Sequence, residues 1–172
     1  SNFKKRSQYV TGDPRFTSVK KGTKNVVYLW AKKEFQNISK CYDCGIPVVK
    51  PRHVSKNILI MDFEGKDGKP ENTLLESEID ENDYHQSIEL ISDLFKKAKL
   101  VHGDFSEYNI FKTKNGLKLF DLGSAVDTTH PNTMNFLKRD INNITNFFVK
   151  RGLTVENPAD ILERITKWAL KN

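Results

Sequence analysis

Two stretches indicate the fold: His102-Gly-Asp-Phe-Ser-Glu-Tyr-Asn109 and, shortly after it, Leu119-Phe-Asp-Leu-Gly123. They carry three oxygen-bearing side chains: Asp104 and Asn109 lie on one polar loop, and Asp121 lies at the end of the segment that follows. Phosphoryl transfer needs such a set, because one carboxylate positions the attacking hydroxyl and takes its proton, while a carboxylate and an amide oxygen hold Mg²⁺ against the phosphates. The pattern therefore predicts a phosphoryl-transfer site.

A short hairpin is predicted between the two halves of this pattern. Asn115-Gly116 separates two apolar runs, and an Asn-Gly pair in that position favours a tight turn because both residues tolerate positive φ. The turn brings Asp121 back toward the loop that holds Asp104. An Asp followed at +5 by an Asn, and then by Asp-x-Gly across a hairpin, is the arrangement of protein kinases. The alternative is a polar turn whose side chains only cap local backbone.

Composition is typical of a globular protein. The 172 residues are 37% hydrophobic and 29% charged, and no apolar run approaches the roughly 20 residues that span a bilayer. The N-terminus lacks the pattern of a secretory signal, and two cysteines are few for a disulfide-stabilised domain. We therefore expect a cytoplasmic protein without a membrane partner.

The net charge is concentrated at the N-terminus. Residues 1–24 contain seven basic residues and one acidic residue, which accounts for the whole formal charge of +6. Such a basic arm could meet the phosphates of RNA or of a nucleotide. The alternative, a solvated tail without a partner, has equal weight.

Apolar periodicity predicts an α+β fold. Spacings of three and four residues predict helices over residues 25–42, 84–98, 133–150 and 158–170. Asp83 is expected to cap the second helix. Strands are expected in antiparallel pairs set among these helices, which is the α+β pattern.

The segment between the first two helices is predicted to be a hairpin and a linker. Residues 48–54 and 57–63 read as two strands around a turn, and the second strand is apolar enough to be buried. Residues 64–83 are acidic and are expected to be loop-like.

Two groups allow more than one interpretation. Cys41 and Cys44 have the spacing of half a zinc site or of a redox pair; since zinc needs two more ligands and only His53 is nearby, buried or idle thiols are favoured. Glu34 is either an exposed helical charge or a carboxylate aimed at a phosphate-binding lysine.

The chain resembles the first subfamily of the RIO atypical serine kinases. The stretches that carry the resemblance are residues 9–16, 30–37, 60–67, 102–109 and 130–143. A generic kinase or an aminoglycoside phosphotransferase would not be expected to share the first and last of them. The resemblance implies a protein-kinase-like fold with two parts. Residues 1–63 would be a partial N-lobe with a basic flexible loop, a regulatory helix and a hairpin to the hinge, and residues 64–172 the C-terminal catalytic lobe.

The resemblance implies ATP and Mg²⁺ as cofactors and assigns catalytic roles. Asp104 would be the catalytic base. Asn109 and Asp121 would hold the metal, and Asp121 would also be able to accept phosphate as an aspartyl-phosphate. The family's phosphate-covering loop and strand lysine are not found ahead of residue 9, so we expect weakened nucleotide binding and catalysis, because this chemistry depends on positioning and charge stabilisation.

Nucleotide contacts are implied for the hinge and the regulatory helix. The side chain of Met61 would border the adenine pocket, and the backbone of Asp62 and Glu64 would contact the base. Glu34 would occupy the ion-pair position of the regulatory helix.

The implied function is that of an ATP-dependent serine/threonine protein kinase, or of an ATPase with an aspartyl-phosphate step. It would act in the cytoplasm in maturation of the small ribosomal subunit, with the pre-ribosomal particle and rRNA as partners of residues 1–24. One alternative is an assembly factor in which nucleotide only sets conformation. The other is a small-molecule phosphotransferase.

Overall fold

The structure, a computed structural model, describes residues 23–167. The basic arm before this range and the predicted helix end beyond it lie outside the described residues. Within the range, no helix combines the length and the hydropathy needed to cross a membrane.

Four α-helices and eight short strands are found in the described range. In chain order they are α1 (Thr23–Asp43), β1 (Pro51–Ser55), β2 (Ile58–Met61), β3 (Gly65–Lys66), β4 (Lys69–Pro70), α2 (Glu81–Lys96), β5 (Leu100–Val101), β6 (Ile110–Thr113), β7 (Gly116–Leu119), β8 (Val126–Asp127), α3 (Thr133–Lys150) and α4 (Pro158–Lys167). A 3₁₀ turn (Leu74–Glu76) precedes α2.

Helices α2, α3 and α4 pack against one another and form about half of the core. Each places apolar residues at helical spacing on its inner face, as Ile88 and Ile91 of α2 and Ile141 and Ile144 of α3 show; all four are buried. The predicted helices are therefore confirmed: the bounds of α3 and the start of α4 are as predicted, and those of α1 and α2 differ by one to three residues.

The N-terminus of α2 begins three residues earlier than predicted. Asp80 is the capping residue, since its carboxylate accepts a hydrogen bond from the Asp83 N–H at 3.0 Å. Asp83 returns the contact by accepting from the Asp80 N–H at 2.9 Å. The two form a reciprocal capping box, so the assignment of the cap to Asp83 was wrong, although Asp83 completes the motif.

The predicted hairpin of the catalytic pattern is confirmed as β6 and β7. Its register pairs Ile110 with Leu119 and Thr113 with Gly116, so the turn residues are Lys114 and Asn115, one position earlier than predicted. Gly116 has φ of +109°, and a Cβ there would lie 2.6 Å from the Gln86 Oε1 atom. Glycine is therefore required where the hairpin meets α2.

The β1–β2 hairpin is also confirmed, but its burial is not as predicted. Ile58, Ile60 and Phe63 are 60%, 50% and 62% exposed, respectively. The hairpin packs with α1, and in a two-stranded sheet alternate side chains point away from the covered face. The apolar run predicted burial, but it could not show that no other described element packs on this face of the hairpin.

The start of the predicted first strand joins a different element. Val48 forms a parallel bridge with Leu119, and the Val49 N–H donates to the Leu119 C=O at 2.9 Å. The chain that leads to the hinge is thereby tied to the end of β7, directly before Asp121.

Three local elements were not predicted from the sequence: the β3–β4 pair, the 3₁₀ turn and strand β8. The segment expected to be loop-like holds the β3–β4 pair and the 3₁₀ turn, with Leu74 fully buried. Strand β8 pairs antiparallel with β5, Val126 opposite Val101. Two-residue strands are too short for a recognisable period.

Candidate active site

The catalytic loop, residues 102–109, is held by a buried carboxylate from α3. Asp140 is 1% exposed, and its two oxygens accept hydrogen bonds from the N–H groups of Gly103 at 2.7 Å and Phe105 at 3.0 Å. These amides flank Asp104, whose side chain is exposed. The backbone is thus fixed on both sides of the predicted base, while its carboxylate stays accessible.

The protonation of Asp140 is set by its burial. Loss of solvent raises the pKa of Asp140 to about 7, while the hydrogen bonds from Phe105 and Gly103 and the charge of Arg139 act in the opposite direction. The group that holds the catalytic loop therefore titrates near neutral pH.

Arg139 binds the other backbone polar group of Gly103. Its guanidinium donates a hydrogen bond to the Gly103 C=O and lies 5.1 Å from the centre of the Phe136 ring. Two consecutive residues of α3 thus contact both polar groups of Gly103. We call Arg139 and Asp140 the loop-holding pair.

His102 is the first residue of the catalytic loop. It is 2% exposed and packs edge-on against Phe105, with ring centres 5.4 Å apart. Burial lowers the pKa of His102, and the negative charges of Asp121 and Asp104 oppose that change. The charges of both predicted catalytic carboxylates therefore act on this one ring.

Asn109 joins the loop to the strand that leads to Asp121. Its Nδ2 donates to the Asp104 C=O at 2.9 Å, so the amide oxygen is not used in this bond. Its own C=O accepts from the Phe120 N–H at 3.3 Å. Asn109 is thus hydrogen-bonded to Asp104 and to Phe120, the residue that precedes Asp121.

The metal segment, residues 121–125, follows β7. Asp121 is exposed, and its Oδ1 accepts from the Gly123 N–H at 3.0 Å. A Cβ at Gly123 would lie 2.7 Å from Nε1 of Trp30 in α1, so glycine permits the close approach of the helix. The Asp121 carboxylate is therefore held in the short turn that packs on α1.

The donors at this site suit a hard cation. Mg²⁺ prefers oxygen ligands, and it usually takes one or two from protein and the rest from phosphates and water. Asn109 and Asp121 supply an amide oxygen and a carboxylate. In the described residues no cluster of three His, Cys, Asp or Glu side chains suited to a metal is found, so phosphate and water oxygens would have to complete the coordination.

The predicted hinge residues lie where β2 ends. Met61 is half-buried. The Asp62 N–H donates to the Lys50 C=O at 2.9 Å, and Arg52 forms an ion pair with the Asp62 carboxylate whose hydrogen bond lowers the Asp62 pKa. Lys118 of β7 forms an ion pair with Glu64 at 2.7 Å. The adenine contacts assigned to these residues stay predictions.

Glu34 and the cysteines take no part in the contacts around Asp104 described above. Glu34 is half-buried on α1, and its ion-pair role stays a prediction. Cys41 is fully buried, which raises its thiol pKa to about 12, and the Cys44 thiol contacts the Lys97 C=O at 3.6 Å. Both cysteines are free, in agreement with the favoured interpretation.

Sequence reasoning gave no role to three residues that shape the site. Asp140 lies among buried apolar residues of α3, and Lys33 and Asn37 lie on the buried face of α1. Their signal is a charged or amide side chain on an otherwise apolar helical face, since such a group needs a buried partner. The partners, 37 and 85 to 92 residues away in the chain, could not be named from spacing.

The sequence model described as the RIO domain matches residues 1–161. The chain belongs to the RIO domain family. Serine/threonine-protein kinase rio1 of Dictyostelium discoideum is 36% identical over 170 residues, covering 95% of this chain and 30% of that relative. The RIO-type serine/threonine-protein kinase Rio1 of Thermoplasma acidophilum is also 36% identical, over 93% of this chain and 84% of the relative.

Solved RIO structures share the fold. A Rio2 kinase–ADP/Mg²⁺–phosphoaspartate complex from Chaetomium thermophilum matches with a TM-score of 0.66 and 26% identity, over 80% of this chain and 44% of that chain. The predicted protein-kinase-like α+β fold is confirmed. This RIO chain spans 30% to 43% of the length of the eukaryotic RIO1 relatives from Dictyostelium discoideum, Caenorhabditis elegans and Encephalitozoon cuniculi.

Proposed function

We propose that this chain carries the catalytic lobe of a RIO-type ATP-dependent kinase of the first subfamily. The observation that carries the proposal is the arrangement around Asp104. Its flanking amides are fixed by Asp140, its carboxylate is exposed, Asn109 donates to its C=O, and the charge of Asp121 acts on the same buried ring, His102, as its own charge does. Phosphoryl transfer depends on positioning and on charge stabilisation, and this arrangement supplies both.

Asp104 is the catalytic base in this proposal. Its exposed carboxylate accepts the proton of a serine or threonine hydroxyl as that oxygen attacks the terminal phosphorus of ATP. Asn109 and Asp121 hold Mg²⁺, which when bound offsets the negative charge of the phosphates. His102, kept neutral by its burial, adds no positive charge beside the base.

Asp121 has a second role in the proposal, as a phosphate acceptor. Attack by its carboxylate oxygen on the terminal phosphorus breaks the bond to ADP, and water then releases phosphate from the acyl phosphate. The phosphoaspartate named in the Rio2 complex supports this step by similarity. The output would then be ATP hydrolysis that gates binding, the alternative to protein phosphorylation.

Nucleotide binding is assigned to the hinge and α1. Met61 borders the base, the backbone of Asp62 and Glu64 contacts it, and Glu34 supports a lysine that would bind phosphate. In the whole protein we place the activity in cytoplasmic maturation of the small ribosomal subunit, with residues 1–24 contacting rRNA through their net charge of +6.

Calorimetric titration of this chain with ATP and Mg²⁺ tests the proposal. We expect Asp121→Asn to weaken Mg²⁺-dependent binding at least tenfold, because a metal ligand loses its charge. Asp160→Asn removes an equal charge from an exposed position on α4 and should bind like the unmodified chain.

The base is tested separately. Asp104→Asn should bind ATP normally and lose transfer of phosphate to protein or water, measured with labelled ATP. Binding that needs no metal, or that is equal in Asp121→Asn and Asp160→Asn, would contradict the metal assignment. Unchanged turnover in Asp104→Asn would contradict the role of the base.

A further inference from the structure

We propose that Lys33 of α1 is a positioning residue for the metal site, acting with Asn37 on the backbone that follows Asp121. This inference rests on the proposed function, since it takes Asp121 as the residue that holds Mg²⁺. It adds that α1 influences the affinity for the metal. The helix does so through Lys33 and Asn37, two side chains that do not themselves bind the metal in this proposal.

Lys33 binds two carbonyl groups of the metal segment. Its Nζ donates to the Gly123 C=O at 2.9 Å and to the Ala125 C=O at 2.6 Å. The side chain is fully buried. A buried ammonium group is costly unless hydrogen bonds replace its water, and these two carbonyls are part of that replacement.

Asn37 holds the same segment one helical turn further on. Its Nδ2 donates to the Leu122 C=O at 2.9 Å and to the Ala125 C=O at 3.0 Å, and its side chain is also fully buried. Together with Lys33 it satisfies the carbonyls of three residues that precede strand β8. We call Lys33 and Asn37 the segment-holding pair.

Trp30 completes this face of α1. It lies three residues before Lys33, so the two side chains share a face of the helix, and the Lys33 Nζ is 5.4 Å from the centre of the Trp30 ring. The ring occupies the space that a side chain at Gly123 would need. The segment is thus fixed by hydrogen bonds and by packing.

The contacts reach the Asp121 carboxylate through one residue. The C=O of Gly123 accepts from Lys33, and the N–H of Gly123 donates to the Asp121 Oδ1 at 3.0 Å. A shift of α1 that releases Lys33 would rotate this residue's backbone and move the carboxylate that it holds. The N–H groups around Asp104 are instead bound by Asp140, so Asp104 should stay in place.

The test compares Lys33→Met with Lys32→Met in the full chain. Methionine keeps the length of the side chain and removes the donor, and Lys32 is the exposed neighbour on the same helix. Affinity for Mn²⁺ in the presence of ADP is measured by electron paramagnetic resonance, and affinity for ADP without metal by calorimetry. Thermal unfolding shows whether each variant is folded.

We expect Lys33→Met to weaken Mn²⁺ binding about tenfold, with metal-free ADP affinity within twofold of the unmodified chain, and Lys32→Met to change neither. Hydrogen exchange at the Gly123 and Ala125 amides should quicken in Lys33→Met only. A residue that only stabilised the fold would change both affinities together.

If Lys33→Met does not fold, Asn37→Leu provides the test, because it removes two hydrogen bonds to the segment at similar side-chain volume. We expect it to weaken Mn²⁺ binding about threefold. Metal affinity that is unchanged in the folded variants would overturn the role of Lys33 and leave the proposed function intact. If the unmodified chain binds neither Mn²⁺ nor Mg²⁺ with ADP, the metal site itself is refuted, and both proposals fail.

Discussion

The catalytic loop and the metal segment are both held by helical side chains, but through different sets of backbone groups. The helical side chains bind two N–H groups and one C=O group at the loop, and only C=O groups at the segment. At the catalytic loop, Asp140 accepts from two N–H groups. At the metal segment, Lys33 and Asn37 donate to C=O groups of three residues. A carboxylate therefore fixes the segment that holds Asp104, the proposed base, and an ammonium group helps to fix the segment that holds Asp121, the proposed metal ligand.

The two contacts also come from different parts of the chain. The loop-holding pair lies on α3, which packs in the main core with α2 and α4, so the proposed base is anchored to that core. The segment-holding pair lies on α1, which contacts the β1–β2 hairpin. We therefore expect the proposed base and the proposed metal ligand to respond separately to substitution.

The largest effect is expected for Asp140→Leu, which removes the acceptor from the catalytic loop. Two buried N–H groups would lose their partner, at roughly 1–3 kcal/mol each, so we expect unfolding in urea to show a loss of about 3 kcal/mol. Phosphate transfer should fall below detection. Asp160→Leu on the surface of α4 is the control, and an equal loss there would contradict a specific role for Asp140.

The next effect is expected for Gly123→Ala in the metal segment. The added Cβ would lie 2.7 Å from the Trp30 Nε1, and overpacking of this kind costs about 1–3 kcal/mol. Mg²⁺-dependent nucleotide binding should weaken, and the double variant Trp30→Leu/Gly123→Ala should recover part of it, as calorimetry would show. No recovery would mean that the Trp30 ring is not the obstacle.

A change that is smaller over any one pH unit is expected when pH is varied, again through Asp140. Its folded pKa, about 7, is above the ordinary value of 3.8, so between these values the folded protein binds more protons than the unfolded chain. This group's contribution to the free energy of unfolding therefore falls as pH rises from about 4 to 7, by at most about 1.4 kcal/mol per pH unit.

Comparison with Asp140→Asn isolates that contribution, because asparagine does not titrate. The stability advantage of the unmodified chain should be largest at low pH and should shrink toward pH 7 in urea titrations. An advantage that grows with pH would mean that the ionised form is the one favoured by folding.

The smallest effect is expected for Lys118→Met at the hinge. Its ion pair with Glu64 is partly exposed, and such pairs contribute about 0.2–1 kcal/mol. Urea unfolding should change by less than 1 kcal/mol, and still less at high salt. A loss as large as that of Asp140→Leu would erase the distinction between buried backbone contacts and surface ion pairs.

Much of the fold could be predicted because it depends on local patterns. The hairpin around Asn115, the four helices and the convergence of Asp104, Asn109 and Asp121 follow from spacing and turn chemistry. The exposed face of β2 could not be predicted, since an apolar run does not say whether anything covers it. The roles of Asp140 and Lys33 depend on partners 35 to 92 residues away, which periodicity cannot identify.

The loop-holding pair also determines when the catalytic loop can take its final conformation during synthesis. Asp140 lies 37 residues after Gly103, so during synthesis the catalytic loop leaves the ribosome before its acceptor does. Until α3 has been made and has docked, the amides beside Asp104 are solvated and the carboxylate has no fixed position. A nascent chain cut short before α3 therefore lacks these contacts, and the loop takes its observed conformation only when the core of the lobe is closed.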